Sequence, residues 1–195
     1  MTAGNPGASG ATEGNAETRS ARRADRRLSG GGRLCDDTPV RFRPLVAGDR
    51  DLLLAGFTAL SGRSRRSRFL RGVSDAQFER MLPVLLDTVD QQSHVALLLY
   101  ADGRPIGVGR LRRFPSDPSV ADLAVTIADD WHGRGAGTVL AHELLARAGS
   151  VREIQTVVGQ DNPASLRMLA RLGKLQSDCA AGSCDVTVRV SGSRA

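Results

Sequence analysis

The sequence predicts an α+β, or mixed α/β, domain in which strands and amphipathic helices follow one another. Stretches with the period-two alternation or the β-branched residues of strands are separated by stretches in which apolar residues recur every three or four positions. Their order is strand, helices, three strands, helix, strand, helix, strand. With 195 residues, of which 41% are hydrophobic and 25% charged, the chain has the composition of a soluble globular protein with one domain.

The first half of the domain is predicted to contain one strand and two helices. Val40–Arg43 alternates apolar and polar residues and is interpreted as a strand. Asp49 to about Leu60 carries apolar residues at helical spacing. A second helix begins at Ser74, where Gln77 completes a capping box. Pro83 is expected to kink or divide this second helix.

The second half begins with a predicted β-hairpin. Val95–Tyr100 and Pro105–Arg112 flank a turn that contains a glycine. Leu123–Ala128 is rich in β-branched residues and predicts a third strand. The remaining predicted elements are a helix from Thr138 to about Ala148, a strand at Glu153–Val158, a helix at Pro163–Leu172 and a strand at Asp185–Val190.

The two ends of the chain are predicted to lie outside the domain. Residues 1–38 contain seven glycines and few large apolar side chains, so they are interpreted as a disordered Gly/Arg-rich tail. An arginine cluster at residues 22–27 could contact nucleic acid, although a solvated tail is the favoured interpretation. The folded domain is placed at residues 39–190 and a frayed C-terminus at residues 191–195.

Charge and cysteine content indicate the environment of the protein. The net charge of +6 suits a polyanionic partner such as a phosphorylated cofactor. No apolar run is long enough to span a bilayer and no secretory signal opens the chain, so no membrane partner is expected. Cys35, Cys179 and Cys184 are too few for a disulfide framework and indicate a reducing cytoplasm. Cys179 and Cys184 are expected in a loop, and no metal site is predicted.

A glycine-rich segment, residues 131–137, lies between a predicted strand and a predicted helix. Small residues there allow close approach of a ligand, and the free N–H groups at the start of the helix point towards it. The alternative is a tight turn without a ligand. A P-loop is excluded because no Lys-Ser/Thr pair follows Gly137, and the glycine spacing differs from that of the dinucleotide fingerprint. The residues that could form a pyrophosphate nest are Arg134, Gly135, Ala136, Gly137 and Thr138.

Residues 121–137 resemble the acetyl-CoA-binding motif of the GNAT family of N-acetyltransferases, Gln/Arg-x-x-Gly-x-Gly/Ala. The resemblance continues in the Asn-Pro-Ala-Ser segment at residues 162–165 and in Leu172-Gly173. Residues 41–44 and 60–69 resemble a bacterial branch that includes protein-lysine acetyltransferases. The resemblance covers residues 39–190. It implies a central, mostly antiparallel sheet that is flanked by helices and splayed at the strand that binds the cofactor.

The resemblance also implies a binding site for acetyl-CoA, used as a cosubstrate. The backbone of Val125 and Ile127 would pair with the pantetheine arm, and the amides of residues 134–138 would hold the pyrophosphate. Asn162 corresponds to the family asparagine near the pantetheine, while its sequence context equally fits a helix N-cap. His132 stands where the motif has glutamine or arginine.

Asp122 is the candidate general base. The resemblance implies direct acetyl transfer, without a covalent enzyme intermediate, to a primary amine. An amine with a reference pKa of about 10.4 costs roughly 4.6 kcal/mol to neutralise at pH 7, and a nearby carboxylate can accept the proton. Asp122 lies where many relatives have glutamate, although it could instead be a turn residue. Leu169 occupies the position of a family tyrosine, so reprotonation of the thiolate would need water or another group.

Several functional alternatives remain open at this point. The acceptor is predicted to be a protein lysine, with a small-molecule amine as the alternative. A non-catalytic module that binds acyl-CoA would also keep these motifs. Nucleic acid is a disfavoured partner, and both a monomer and a dimer are compatible with the sequence. An arginine run could attract an acidic acceptor or form a solvated helix face, and its members are Arg63, Arg65, Arg66, Arg68 and Arg71.

Overall fold

The computed structural model describes residues 30–191, which form a single eight-stranded sheet in the order β1-β2-β3-β4-β5-β6-β8-β7. All neighbouring strands are antiparallel except β5 and β6, which are parallel. The mixed α/β fold with a mostly antiparallel sheet is therefore confirmed. The strands are β1 (Gly31–Arg33), β2 (Pro39–Pro44), β3 (His94–Ala101), β4 (Arg104–Phe114), β5 (Asp117–Ile127), β6 (Glu153–Gly159), β7 (Gly173–Ala180) and β8 (Ser183–Val190).

Within residues 30–191, five α-helices cover the two faces of the sheet. None of the helices within residues 30–191 is long and apolar enough to cross a membrane. Helices α1, α2 and α3 lie between β2 and β3 in the chain, whereas α4 follows β5 and α5 follows β6. Their bounds are α1 (Arg50–Ala59), α2 (Gly62–Phe69), α3 (Asp75–Asp87), α4 (Ala136–Ala148) and α5 (Pro163–Ala170).

Strand β3 is buried along its whole length because helices pack on both sides of it. Val95, Leu97 and Leu99 belong to one core cluster, together with Leu140 and Leu144 of α4. The alternate residues of β3 point to the opposite face, as the pleat of a strand requires. That second cluster contains Ala96, Leu98, Leu53, Phe57, Phe78 and Leu82.

Helix α3 confirms the predicted N-terminus and shows that Pro83 does not end it. Ser74 accepts a hydrogen bond from the Gln77 N–H at 3.3 Å, and the Gln77 side chain accepts from the Ser74 N–H at 2.8 Å. Pro83 does not divide the helix, which is continuous from Asp75 to Asp87. Pro83 is exposed, so the hydrogen bond that proline cannot donate is lost on the solvent side.

The N-terminal part of the structure differs from the predicted tail boundary. Gly31–Arg33 pairs with β2, and Leu34 is buried in the core. A β-carbon on Gly32 would lie 3.3 Å from a Val139 methyl group, so the missing side chain allows this strand to pack closely on α4. Residues 30–38 therefore belong to the fold. The rest of the predicted tail, residues 1–29, and residues 192–195 lie outside the described part.

The C-terminal hairpin also differs from the prediction. Cys179 and Cys184 are not in a loop: they occupy facing positions of β7 and β8 and form a disulfide. Cys35 is a free, exposed thiol. Strand β7 was not predicted because it lies at the edge of the sheet and most of its side chains are exposed, which removes the apolar alternation of a half-buried strand.

Candidate active site

Strands β5 and β6 diverge soon after they meet. Their parallel pairing consists of Val120 with Glu153 and Ala121 with Ile154. On its other side β5 stays paired with β4 as far as Ile127. The C-terminal half of β5 therefore has an open edge, which is the splay that the family resemblance implied.

The open edge carries the backbone polar groups of alternate β5 residues. The Thr156 hydroxyl of β6 donates to the Leu123 carbonyl oxygen at 3.3 Å, so that carbonyl faces the gap. Backbone groups two residues apart point to the same edge of a strand, so Val125 and Ile127 also face the gap. An extended ligand that carries amides can pair with such an edge. Nε2 of the exposed His132 ring lies 2.9 Å from the Ile127 carbonyl oxygen and contacts the end of this edge.

The glycine-rich loop delivers the N-terminus of α4 to the same gap. Gly133 and Gly135 have φ of 77° and 83°, in the left-handed region that favours glycine. Val139 donates an early bond of the helix to the Gly135 carbonyl oxygen at 3.0 Å. The preceding amides have no helical acceptor, and amides in this position, together with the helix dipole, can bind an anion. These amides belong to Ala136, Gly137 and Thr138.

Residues just after β1 support one side of this loop. The Cys35 N–H donates to the Arg134 carbonyl oxygen at 3.0 Å. The Arg134 guanidinium stacks 4.8 Å from the centre of the Trp131 ring and lies 3.6 Å from the Asp36 carboxylate. A β-carbon on Gly135 would lie 2.6 Å from the Cys35 sulfur. Cys35 and Gly135 are thus in close contact, an arrangement that the local motif does not reveal.

Asp129 supports the other side of the loop. Its carboxylate accepts hydrogen bonds from the Ser61 N–H at 2.7 Å, from the Ser61 hydroxyl at 3.3 Å and from the Ser64 hydroxyl. Burial alone would raise the pKa of Asp129, but the hydrogen bonds from Ser64 and Ser61 outweigh burial and lower it. Asp129 therefore joins the loop to α2 and shapes it.

A cleft of about 970 Å³ runs along the open edge of β5, between the N-terminus of α4, α5 and α2. Its volume, its strand edge and its free amides fit a long ligand that has an amide-bearing arm and a diphosphate. Arg134 supports the loop beside the cleft. The other predicted site residues all line the cleft: Asp122, Val125, Ile127, His132, Gly135, Ala136, Gly137, Thr138 and Asn162.

Helix α5 presents Asn162 and Leu169 to the cleft. The Asn162 side-chain oxygen accepts from the Ser165 N–H at 3.1 Å, and its amide donates to the Ser165 hydroxyl at 2.8 Å. The predicted N-cap is confirmed, with Pro163 following at the first helical position. Leu169 is 1% exposed, so the position of the family tyrosine is occupied by a core residue.

The half-buried Asp122 lies on the opposite face of β5 from α4, directly across from Arg112 of β4. A second pocket, of about 250 Å³, lies on this face between the sheet and helices α1–α3. The two cavities share Arg68, Phe69, Ala124 and Thr126 as lining residues. Residues 30–191 contain no cluster of three His, Cys, Asp or Glu side chains that could bind a metal ion.

The family model of the acetyltransferase (GNAT) family matches residues 61–174, which is more than half of the chain. The chain belongs to the GNAT family. This GNAT chain is 32% identical over 149 residues to Acetyltransferase PA5475 of Pseudomonas aeruginosa, a match that covers 72% of this chain and 77% of the relative. The predicted family and the predicted acyltransferase class are therefore confirmed.

Two further comparisons extend the similarity of this GNAT chain. It is 30% identical over 136 residues to Acetyltransferase Pat of Mycolicibacterium smegmatis, which covers 68% of this chain and 40% of that longer relative. Its fold superimposes on the GNAT domain of S. lividans PAT with a TM-score of 0.71 at 19% identity, covering 85% of this chain and 98% of that domain. The superposition on the S. lividans domain shows that the two proteins share a fold.

Proposed function

We propose that this GNAT enzyme transfers an acetyl group from acetyl-CoA directly to the primary amine of a protein lysine. The observation that supports this proposal is the open edge of β5, which leads from the amides at the start of α4 towards Asp122. Such an arrangement provides for a diphosphate, an amide-bearing arm and a proton acceptor along one cleft.

The binding of acetyl-CoA follows from the groups that face the cleft. The amides of Gly135, Ala136, Gly137 and Thr138 would hold the diphosphate with the aid of the helix dipole. The backbone of Val125 and Ile127 would pair with the pantetheine arm, and Asn162 would border it. Bound acetyl-CoA supplies an acyl thioester whose carbonyl carbon is the electrophile.

Asp122 is assigned the proton transfer that makes the acceptor reactive. Its carboxylate would remove a proton from the ammonium group, offsetting a cost of roughly 4.6 kcal/mol at pH 7. The amine nitrogen then forms a bond to the acyl carbon as the carbon–sulfur bond breaks. The Val125 N–H faces the gap and would donate to the acyl oxygen. Leu169 has no acidic proton, so the second proton, which the nitrogen releases as the amide forms, would reach the leaving thiolate through water.

A protein lysine is the preferred acceptor because of two similarities. Residues 41–44 and 60–69 resemble a branch that includes protein-lysine acetyltransferases, and the chain is similar to Acetyltransferase Pat. A small-molecule amine is the second candidate. It is favoured by the 250 Å³ pocket beside the cleft, which could contain the body of a small acceptor.

Steady-state acetylation of a panel of lysine peptides and small amines tests the proposal. We expect turnover by the wild-type enzyme and a loss of about 100-fold or more in kcat for Asp122→Asn, with calorimetric CoA affinity unchanged. Asp185→Asn removes an exposed carboxylate of β8 and is the matched control. Wild-type-like kcat in Asp122→Asn would refute its role as base. Binding of CoA without turnover of any amine would identify a non-catalytic module.

A further inference from the structure

The pocket beside the cleft has apolar walls and polar atoms at one end. His94 of β3 and Arg110 of β4 lie on the same face of the sheet, because Arg110 pairs with Ala96, two residues from His94. Both side chains line the pocket. The apolar lining comes from α1, α3 and the sheet and includes Leu53, Phe57, Phe78, Leu98 and Val108.

Two buried nitrogen atoms at this end have no hydrogen-bond partner among residues 30–191: Nε2 of His94 and Nε of Arg110. His94 is only 2% exposed. Its Nδ1 lies 3.1 Å from the Thr88 carbonyl oxygen, which can only accept, so Nδ1 carries the proton and Nε2 presents a lone pair. An unsatisfied buried polar atom is unfavourable. The Nε–H group of Arg110 would be satisfied by an acceptor such as a carboxylate oxygen, whereas the Nε2 lone pair of His94 needs a donor and does not itself favour an anion.

Positive charge is in excess around the junction of the pocket and the cleft. Arg68, Arg110 and Arg112 lie around a single carboxylate, that of Asp122. None of these three arginines forms an ion pair with a described residue. Burial, followed by the charge of Arg110, lowers the pKa of Arg68 to about 10. Burial also lowers the pKa of Arg110, with a further contribution from Arg112, while Asp122 opposes both shifts. A second anion would reduce the repulsion between these guanidinium groups.

The diphosphate of the cosubstrate is not placed to supply this anion. Arg110 pairs with Ala124, near the start of the open edge, whereas the loop and α4 follow Ile127. The three steps along the strand from Ala124 to Ile127 span about 10 Å. Moreover, the side chain of Arg110 lines the pocket on the face of the sheet opposite α4. The anion is therefore better supplied by the acceptor.

We propose that the acceptor carries a carboxylate, which Arg110 and Arg68 bind while the acceptor amine meets Asp122. This inference rests on the proposed function and adds the class of acceptor, an amine with a carboxylate on the same molecule. The carboxylate belongs either to a free amino acid or to an acidic side chain near the lysine of a peptide. Arg68 is shared by both cavities, so it lies where the acceptor must pass between them.

Pairs of acceptors that differ only in the carboxylate test the inference without any mutation. One pair is Nα-acetyl-lysine and its C-terminal amide, and the other is a lysine peptide with a neighbouring Glu and the same peptide with Gln. A lost charged hydrogen bond predicts a drop of about 10- to 100-fold in kcat/KM for the neutral member. Discrimination in the first pair identifies a free amino acid, and discrimination in the second an acidic peptide.

Variants then assign the discrimination to residues. We expect Arg110→Gln and Arg68→Gln to acetylate both members of the preferred pair equally, with CoA affinity unchanged. Arg66→Gln is the matched control, because Arg66 is an exposed arginine of the same helix as Arg68 and lines neither cavity. A melting curve shows whether Arg110→Gln is folded. If it is not, the inference is tested by Arg68→Gln and by the wild-type enzyme's rates with the paired acceptors.

The outcomes separate this inference from the proposed function. Equal turnover of charged and neutral acceptors by the wild-type enzyme overturns the inference and leaves acetyl transfer intact. Discrimination that persists in Arg68→Gln and folded Arg110→Gln also overturns it. Absence of turnover with every acceptor overturns the proposed function, and the inference with it.

Discussion

The backbone N–H of Ser61 donates a 2.7 Å hydrogen bond to the carboxylate of Asp129, across 68 residues of sequence. Ser61 is the N-cap of α2 and its hydroxyl accepts from the Ser64 N–H at 3.2 Å. Asp129 begins the turn that precedes the glycine-rich loop. The helix that contains Arg68, which lines both cavities, is thereby fixed to the glycine-rich loop.

Asp129→Asn should destabilise the protein and weaken CoA binding. The substitution removes the charge that accepts hydrogen bonds from Ser61 and Ser64, which predicts a loss of about 1–3 kcal/mol in the free energy of unfolding. Because folding lowers the pKa of Asp129, its stabilisation is present above the unfolded pKa of about 3.9 and is lost as the pH falls towards the lowered value. Urea unfolding at pH 7 and pH 3 measures the loss of stability and its pH dependence, and calorimetric titration with CoA measures the binding.

Asp130→Asn is the matched control, since Asp130 is the exposed neighbour in the same turn. We expect its unfolding free energy to equal that of the wild type. Equal stability of Asp129→Asn and Asp130→Asn at pH 7 would contradict the role assigned to Asp129.

Gly135→Ala should cost more stability than Gly133→Ala. Both glycines have positive φ, which costs about 1–2 kcal/mol for a residue with a β-carbon. Only the β-carbon at position 135 would lie 2.6 Å from the Cys35 sulfur, whereas position 133 has no atom within 4 Å. Thermal unfolding of the two variants gives the comparison. Adding Cys35→Ala to Gly135→Ala should restore most of the difference, and a double variant no more stable than Gly135→Ala would exclude this steric explanation.

Asp49→Asn should be among the most destabilising single substitutions in the N-terminal half. The Asp49 carboxylate accepts two hydrogen bonds from Arg43, at 2.8 and 3.0 Å, and both residues are buried. Removing one charge leaves the other uncompensated, which predicts a loss of about 3–5 kcal/mol. Tyr100→Phe removes only a 3.1 Å contact with the same arginine and should cost about 1 kcal/mol. Chemical denaturation of both variants tests the order, which would be wrong if Tyr100→Phe cost as much.

Protonation of His94 should destabilise the protein in mild acid. Burial, followed by the charge of Arg110 and with a further contribution from Arg112, lowers the pKa of His94, and together these effects outweigh the opposing effects of Thr88 and Asp90. A lowered folded pKa means that stability is fully present above the unfolded pKa of about 6.5 and declines as the pH falls below it. Melting temperatures at pH 7.5 and 5.5 should therefore fall more for the wild type than for His94→Asn. Identical declines would show that His94 does not cause the effect.

The central part of the candidate site could be predicted because its signals are local. The β-branched run at Leu123–Ile127, the two glycines before α4 and the Asn162 cap each occupy a few consecutive residues. Backbone geometry and capping rules act over the same range, so the strand, the loop and both helix starts followed from the sequence. The roles of Asp122 and the loop amides in catalysis and binding stay predictions.

The missed elements depend on contacts that are distant in sequence. Helix α2 has no buried residue and hence no apolar period, and it is positioned by contacts such as those of Asp129. Arg65, which the arginine run suggested could face an acceptor or solvent, instead pairs with Asp75 at 2.6 Å and stacks on Phe57. Such long-range partners leave no mark in a local pattern, and therefore a sequence pattern cannot distinguish Arg65 from Arg68.

The contact between Cys35 and Gly135 has a practical consequence for protein production. An expression clone trimmed to residues 39–190, the boundaries suggested by periodicity, would delete the donor to the Arg134 carbonyl and the buried Leu34. Purified in that form, the enzyme would have a glycine-rich loop without the residues that support it, and poor activity could be mistaken for a chemical defect. Clones that begin upstream of Gly30 keep the loop and its support together.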